Sequence, residues 1–196
     1  MPHPDAQRWD SRYIDEADWY SLRSPRHLVT SHLNLLPPDG LVLDAACGTT
    51  STGRYLATRG WRVIALDVSL VALQLAQKKA KKESLPISFA VLDMMNPWLP
   101  EANFDVILNF YFLSRPLWET YRRALKPGGL LFFETYLHEP GPDPAHYLST
   151  QELRLAFDDW QIFHYLEMER LSPSRKGGQR TRWSAQLVAR KQQFPV

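Results

Sequence analysis

Short apolar runs recur along the chain, and between them apolar positions repeat at helical spacing. Residues 41–45 read as a first buried strand, followed by a helix over about 51–58 that Gly60 closes. Residues 62–66 form the next strand, ending at Asp67. Ser69 is placed to cap a helix running to Lys82, with Leu70, Leu73 and Ala76 on one face. Residues 87–92 and 104–112 give a third and a fourth strand. A helix over about 116–125 should stop at Lys126-Pro127-Gly128-Gly129, because Pro127 presets φ and Gly128 accepts positive φ. Residues 130–136 form the fifth strand.

Strands alternating with helices of about 10–15 residues predict βαβ units and a parallel sheet. The near-continuous apolar character of the strands fits burial on both faces. After Tyr136 the pattern changes. Residues 138–147 are rich in Pro, Gly and Asp and read as an ordered loop or lid, and Ser149 is expected to cap a helix reaching about Phe157. Residues 160–168 and 182–190 read as two strands joined by a loop over 172–178, which adds one antiparallel strand. The expected fold is α/β: a Rossmann-like, doubly wound, mostly parallel seven-stranded sheet with a C-terminal antiparallel hairpin. Residues 1–37 would form a helical cap segment and 38–196 the main body of one compact unit.

Composition narrows the function classes. The 196 residues suffice for one domain with a full core. A net charge of +2 is too small to imply a nucleic-acid or membrane partner by itself. One cysteine rules out an internal disulfide, and Cys/His pairs at ligand spacing are missing, so no metal is expected. No run approaches the roughly 20 apolar residues that cross a bilayer, and residues 1–20 lack a signal-peptide core. The expected setting is the cytoplasm.

In a doubly wound sheet, ligands bind beyond the carboxyl ends of the strands. Asp44, Asp67, Asp93 and Asn109 fall at the ends of the first four strands. Any one of them could be an ordinary turn or cap residue; four on successive strands point to a site. The segment Gly48-Thr49-Thr50-Ser51-Thr52-Gly53 has phosphate-loop spacing, but Arg54 and Tyr55 replace the Lys-Ser/Thr that such a loop requires. A dinucleotide fingerprint fails because its middle glycine would be Thr50. Both readings also bring a pyrophosphate to the Asp44 carboxylate, which would repel it. A cationic ligand such as S-adenosylmethionine (SAM) meets no such objection.

These residues, with Lys126-Pro127-Gly128-Gly129, resemble the class I SAM-dependent methyltransferases over residues 38–136. Trp9-Asp10-Ser11-Arg12-Tyr13 ahead of the domain is most similar to the small tellurite-resistance-type group. The resemblance implies that Asp44 and the backbone of Ala46, Cys47 and Gly48 hold the methionyl part of SAM. Asp67, followed by Val68, would bind the ribose hydroxyls. Asp93 and Met94 would hold the adenine, and Asn109 with the aromatics behind it would flank the sulfonium. The family loop usually carries glycine where this chain has Ala46 and Thr50. Trp9, Tyr13, Trp19 and Tyr20 would cap the cofactor, with Tyr13 beside it, or simply pack as a surface helix.

The implied activity is methyl transfer from SAM to a small-molecule acceptor. The alternatives are a non-catalytic SAM-binding subunit and an RNA or protein methyltransferase. Asn109 is followed by Phe110-Tyr111-Phe112, not by the Pro-Pro-aromatic that clamps a flipped base, so nucleic acid is disfavoured. Tyr111 or its neighbours could hold the sulfonium by cation–π attraction, although most of that trio should be core. Cys47 lies in the cofactor loop, away from any cysteine-nucleophile chemistry. His138 and His146 are candidate proton acceptors, more readily read as solvated loop residues. Lys78, Lys79, Lys81 and Lys82 suggest a solvated helix face. Arg170, Arg175, Lys176, Arg180 and Arg182 suggest surface charge, with an anionic substrate or RNA as the other reading. No catalytic residue is assigned.

Overall fold

The computed structural model describes residues 4–21, 23–137, 146–173 and 178–193. His138, most of the 138–147 loop, Arg175 and Lys176 lie outside these residues. Two helices, α1 (Pro4–Asp15) and α2 (Ala17–Ser21), precede a short α3 (His27–Thr30). Then come β1 (Leu41–Ala45), α4 (Ser51–Ala57), β2 (Arg62–Asp67), α5 (Leu70–Lys82) and β3 (Ile87–Val91). They are followed by β4 (Phe104–Phe110), α6 (Leu117–Ala124), β5 (Leu125–Tyr136), α7 (Glu152–Ala156), β6 (Gln161–Pro173) and β7 (Gln179–Arg190).

The strands form one seven-stranded sheet in the order β3-β2-β1-β4-β5-β7-β6. Pairing is parallel through β5, and β7 runs antiparallel to both β5 and β6. The register sets Ala45 beside Leu66 and Asn109, so β1, β2 and β4 end together at one rim. Successive side chains of a strand face opposite sides, and each side here has its own core. Leu43, Ile107, Leu131 and Phe133 pack with Leu117, Tyr121 and Leu153 of α6 and α7. Val42, Val106, Leu108 and Phe132 pack with Leu28, Val29 and Leu56 of α3 and α4.

Five element boundaries differ from the sequence expectation. β4 stops at Phe110 because Tyr111 turns to φ 61° and leaves the sheet. The Pro127–Gly129 turn does not separate α6 from β5: the strand begins at Leu125, and its pairing slips between Phe104 and Val106 to absorb the turn. Gly128 takes φ 80° there. Ser149 does not cap α7, which starts after Gln151 at φ 63°. Instead the Ser149 N–H donates to Glu152 Oε2 at 2.8 Å, the reach-back half of a capping box. β6 and β7 are longer than expected, at 13 and 12 residues. Ser69 does cap α5, its hydroxyl accepting from the Ala72 N–H at 3.1 Å.

Candidate cofactor site at the strand ends

The loop after β1 turns on three left-handed residues, Ala46 (φ 49°), Gly48 (φ 54°) and Thr50 (φ 45°). Glycine adopts that conformation freely, whereas a side chain there costs about 1–2 kcal/mol. Ala46 and Thr50 occupy two of these strained positions, so the chain keeps a glycine-type loop without the glycines. Its hydrogen bonds hold it in place: Cys47 N–H to Leu66 O (2.9 Å) and Thr50 N–H to Cys47 O (2.9 Å). Thr50 also donates its hydroxyl to Asp44 Oδ2 at 2.6 Å.

Asp44 is 4% exposed and lies beneath the loop, not at its mouth as the sequence suggested. A Cβ on Gly53 would lie 2.9 Å from Asp44 Oδ2, so α4 comes this close only because residue 53 is glycine. Burial is the main cause that pushes the Asp44 carboxyl up to about 7, against the Thr50 and Gly53 hydrogen bonds that favour its charge. Cys47 is pushed well above the ordinary thiol value by burial and then by Asp44 and Asp67, which makes it a poor nucleophile.

Asp67, at the end of β2, accepts from the Gly48 N–H at 2.7 Å and the Ser69 N–H at 2.9 Å, one on each oxygen. It thereby ties the loop to the start of α5. Val68, between these two anchors, is half-buried, and its backbone also hydrogen-bonds Asp67. Burial raises the Asp67 carboxyl above its usual range despite these donors. Each oxygen keeps acceptor capacity. Further hydroxyl donors would relieve the desolvation, so a ribose diol fits this carboxylate. Asp93 Oδ1 accepts from the Met95 N–H at 2.8 Å, and the Met94 side chain is buried in the core beside Leu66. Met94 therefore has its backbone to offer at the rim.

Asn109 is used differently from the expectation. Its Nδ2 donates to Phe112 O (2.7 Å) and its Oδ1 accepts from the Tyr121 hydroxyl (2.9 Å), with no exposed surface. The amide thus holds the turn after β4 through Nδ2 and ties β4 to α6 through Oδ1. Tyr111 does not wait for a ligand cation. The Arg26 guanidinium carbon lies 4.6 Å from its ring centre, and its hydroxyl donates to the buried Glu134 at 2.6 Å. Phe110 and Phe112 pack against the two cores. His146 is exposed, as are Lys78, Lys81 and Lys82 on α5.

The amino-terminal helices are fastened to this rim. Asp10 Oδ1 accepts from the Ser69 hydroxyl at 2.6 Å and the Val71 N–H at 3.2 Å, a second cap on α5 supplied by α1. Tyr13 is buried, packs against Tyr20 with ring centres 4.3 Å apart and planes tilted by 51°, and sits where a Gly48 side chain would be. Burial and the Asp67 charge raise its phenol well above the ordinary value, so it is a neutral donor. Thr49 donates its hydroxyl to Tyr20 O at 3.0 Å, and the Arg26 N–H donates to Thr52 Oγ1 at 3.1 Å. Sequence reasoning missed Asp10, Gly53, Arg23 and Arg26. Only Asp10 left a local signal, three residues before Tyr13 and so on the same helix face.

Residues 42–129 match the family model described as a methyltransferase domain. A curated relative, the 2-heptyl-1-hydroxyquinolin-4(1H)-one methyltransferase of Mycobacteroides abscessus, is 33% identical over 147 residues, covering 69% of this chain. The chain spans 63% of that relative's length. TehB from Haemophilus influenzae superposes with a TM-score of 0.78 at 21% identity, over 90% of this chain and 66% of its own. A structure from work on converting a disulfide bond into a thioacetal group during echinomycin biosynthesis gives 0.74 at 22%, over 95% of this chain and 93% of its own. At that identity the two structures speak to fold alone. Residues 42–129 thus carry a methyltransferase domain, on a fold shared with the two structures.

Proposed function

We propose that this chain binds SAM across the ends of β1–β4 and transfers its methyl group to a small-molecule acceptor. The observation that carries this reading is Asp67, a buried carboxylate held by the Gly48 and Ser69 N–H groups with acceptor capacity left for a diol. In this reading the 46–48 backbone and the Asp44 charge receive the methionyl end, Asp67 the ribose, and Asp93 with the Met94 N–H the adenine. Residues 1–37 act as a cap over 38–196, and Tyr13 closes on the loop. When bound, the sulfonium supplies an activated methyl carbon. The chain's own task is to align the acceptor within about 3–3.5 Å of it and keep water out.

A small acceptor is supported by the quinolone named for the Mycobacteroides relative and by the Asn109-Phe110-Tyr111-Phe112 sequence. Among the described residues no helix is long and apolar enough to cross a membrane. A reducing compartment such as the cytoplasm is supported by the single, unpaired Cys47. Asp67→Ala is expected to weaken SAM binding by about 1–3 kcal/mol, because hydrogen bonds to a buried charge are lost. Calorimetric titration measures this directly, and unchanged affinity removes Asp67 from the site. Methyl transfer from labelled SAM to a panel of thiols, hydroxy-heteroaromatics and amines tests the enzyme reading. Tight binding without turnover on any acceptor favours a regulatory SAM-binding subunit.

A further inference from the structure

Beyond the strand-end rim, three arginines gather around two tyrosines. The guanidinium carbon of Arg26 lies 4.6 Å from the Tyr111 ring centre, and that of Arg182 lies 4.5 Å from the Tyr136 ring centre. The two rings are 4.7 Å apart. Arg170 pairs with Glu134, on the same oxygen that accepts from the Tyr111 hydroxyl. Arg23, three residues before Arg26, lies instead over the Trp19 and Tyr20 rings, at 5.0 and 5.7 Å.

The charges in this group do not balance. Among the described residues, Arg26 and Arg182 form no ion pair, and Glu134 is the one carboxylate bonded to the group. Arg170 and Arg182 are also direct partners across β6 and β7, where like charges repel. Arginine stacked on an aromatic ring keeps its planar fork of N–H donors free at the edge, which suits a carboxylate or phosphate. The group also abuts the cofactor loop. The Arg26 N–H bonds Thr52 on α4, and Tyr111 lies two residues beyond Asn109.

We propose that Arg26, Arg170 and Arg182, set around Tyr111 and Tyr136, bind the anionic group of a flat, aromatic methyl acceptor, a carboxylate or a phosphate. The acceptor role rests on the methyl-transfer reading; the anion binding rests on the arginines themselves. The surplus positive charge favours an acceptor already deprotonated. This suits a rim where no base has been assigned.

The test uses the full chain with benzoate, phenyl phosphate and the neutral match benzamide, titrated with and without S-adenosylhomocysteine. Benzoate or phenyl phosphate is expected to bind at least about tenfold more tightly than benzamide, a preference that fades as salt rises. The Arg26→Gln/Arg182→Gln double variant should lose about tenfold for the anion and keep its S-adenosylhomocysteine affinity. Should it not fold, Arg182→Lys retains the charge without the planar stack and should still lose about threefold. Benzamide binding as tightly as the anions, or undiminished anion binding in the folded variants, overturns the anion site. S-adenosylhomocysteine retained without anion preference overturns this proposal alone. Anion binding with no S-adenosylhomocysteine retention overturns the methyl-transfer reading instead.

Discussion

Asp44 shows how burial changes the work of a single residue. Its position at the end of β1 was readable from the sequence, and its place under the Thr50 hydroxyl was not. A carboxyl raised to about 7 takes up a proton on folding. Its ionisation therefore costs the ligand-free fold stability as pH climbs from the unfolded value of about 4 through 7. A cationic ligand favours the carboxylate and expels that proton. SAM affinity is accordingly expected to rise between about pH 5.5 and 7.5, while uncharged adenosine stays flat. Asp44→Asn should remove the slope. Titrations in two buffers of different ionisation enthalpy check the proton release, and equal slopes for both ligands contradict it. The sequence also marked Ala46 and Thr50 as departures from the family's glycines. The structure finds both in the left-handed region, where glycine would be unstrained.

At the scale of elements, α1 and α5 share a cap. Asp10 reaches across about 60 residues to the Ser69 hydroxyl and the Val71 N–H, so the amino-terminal helix and the end of β2 are mechanically coupled. Asp10→Ala is expected to cost about 1 kcal/mol, the usual worth of a cap. Faster amide exchange should appear across Pro4–Asp15. Asp10→Asn keeps the accepting oxygen and should restore most of the protection; equal exchange in both variants would mean that the helix is held by its aromatic face alone. The elements themselves were largely legible, because apolar runs and helical periods are local signals. Where they misled, a single backbone torsion decided the outcome. Tyr111 at φ 61° cut β4 short, and Gln151 at φ 63° moved the start of α7.

Across the whole molecule, the antiparallel hairpin of β6 and β7 is tied to the parallel sheet through Glu134. This side chain, 1% exposed on β5, receives Arg170 from β6 and the Tyr111 hydroxyl from beyond β4. Arg170→Met leaves that carboxylate buried with one partner lost and is expected to cost about 3 kcal/mol. Adding Glu134→Gln should recover most of the loss, because the stranded charge is gone. Denaturant unfolding of the three variants closes the cycle; additive losses would show that the two side chains act independently.

By itself, the sequence determined the alternation of strand and helix, the row of polar residues at the strand ends and the class of ligand their charge admits. Each depends on residues near one another in the chain, or on the parallel run of the strands, which brings their carboxyl ends to a common rim. Tertiary structure alone decided that Asp44 is roofed over and that Asn109 is spent on Tyr121 and Phe112. It also decided that Arg26, and Arg182 of the last hairpin, lie over neighbouring tyrosine rings. Whether the partners lie six residues apart, as Asp44 and Thr50 do, or at opposite ends of the chain, packing geometry sets these contacts and leaves no mark in local periodicity.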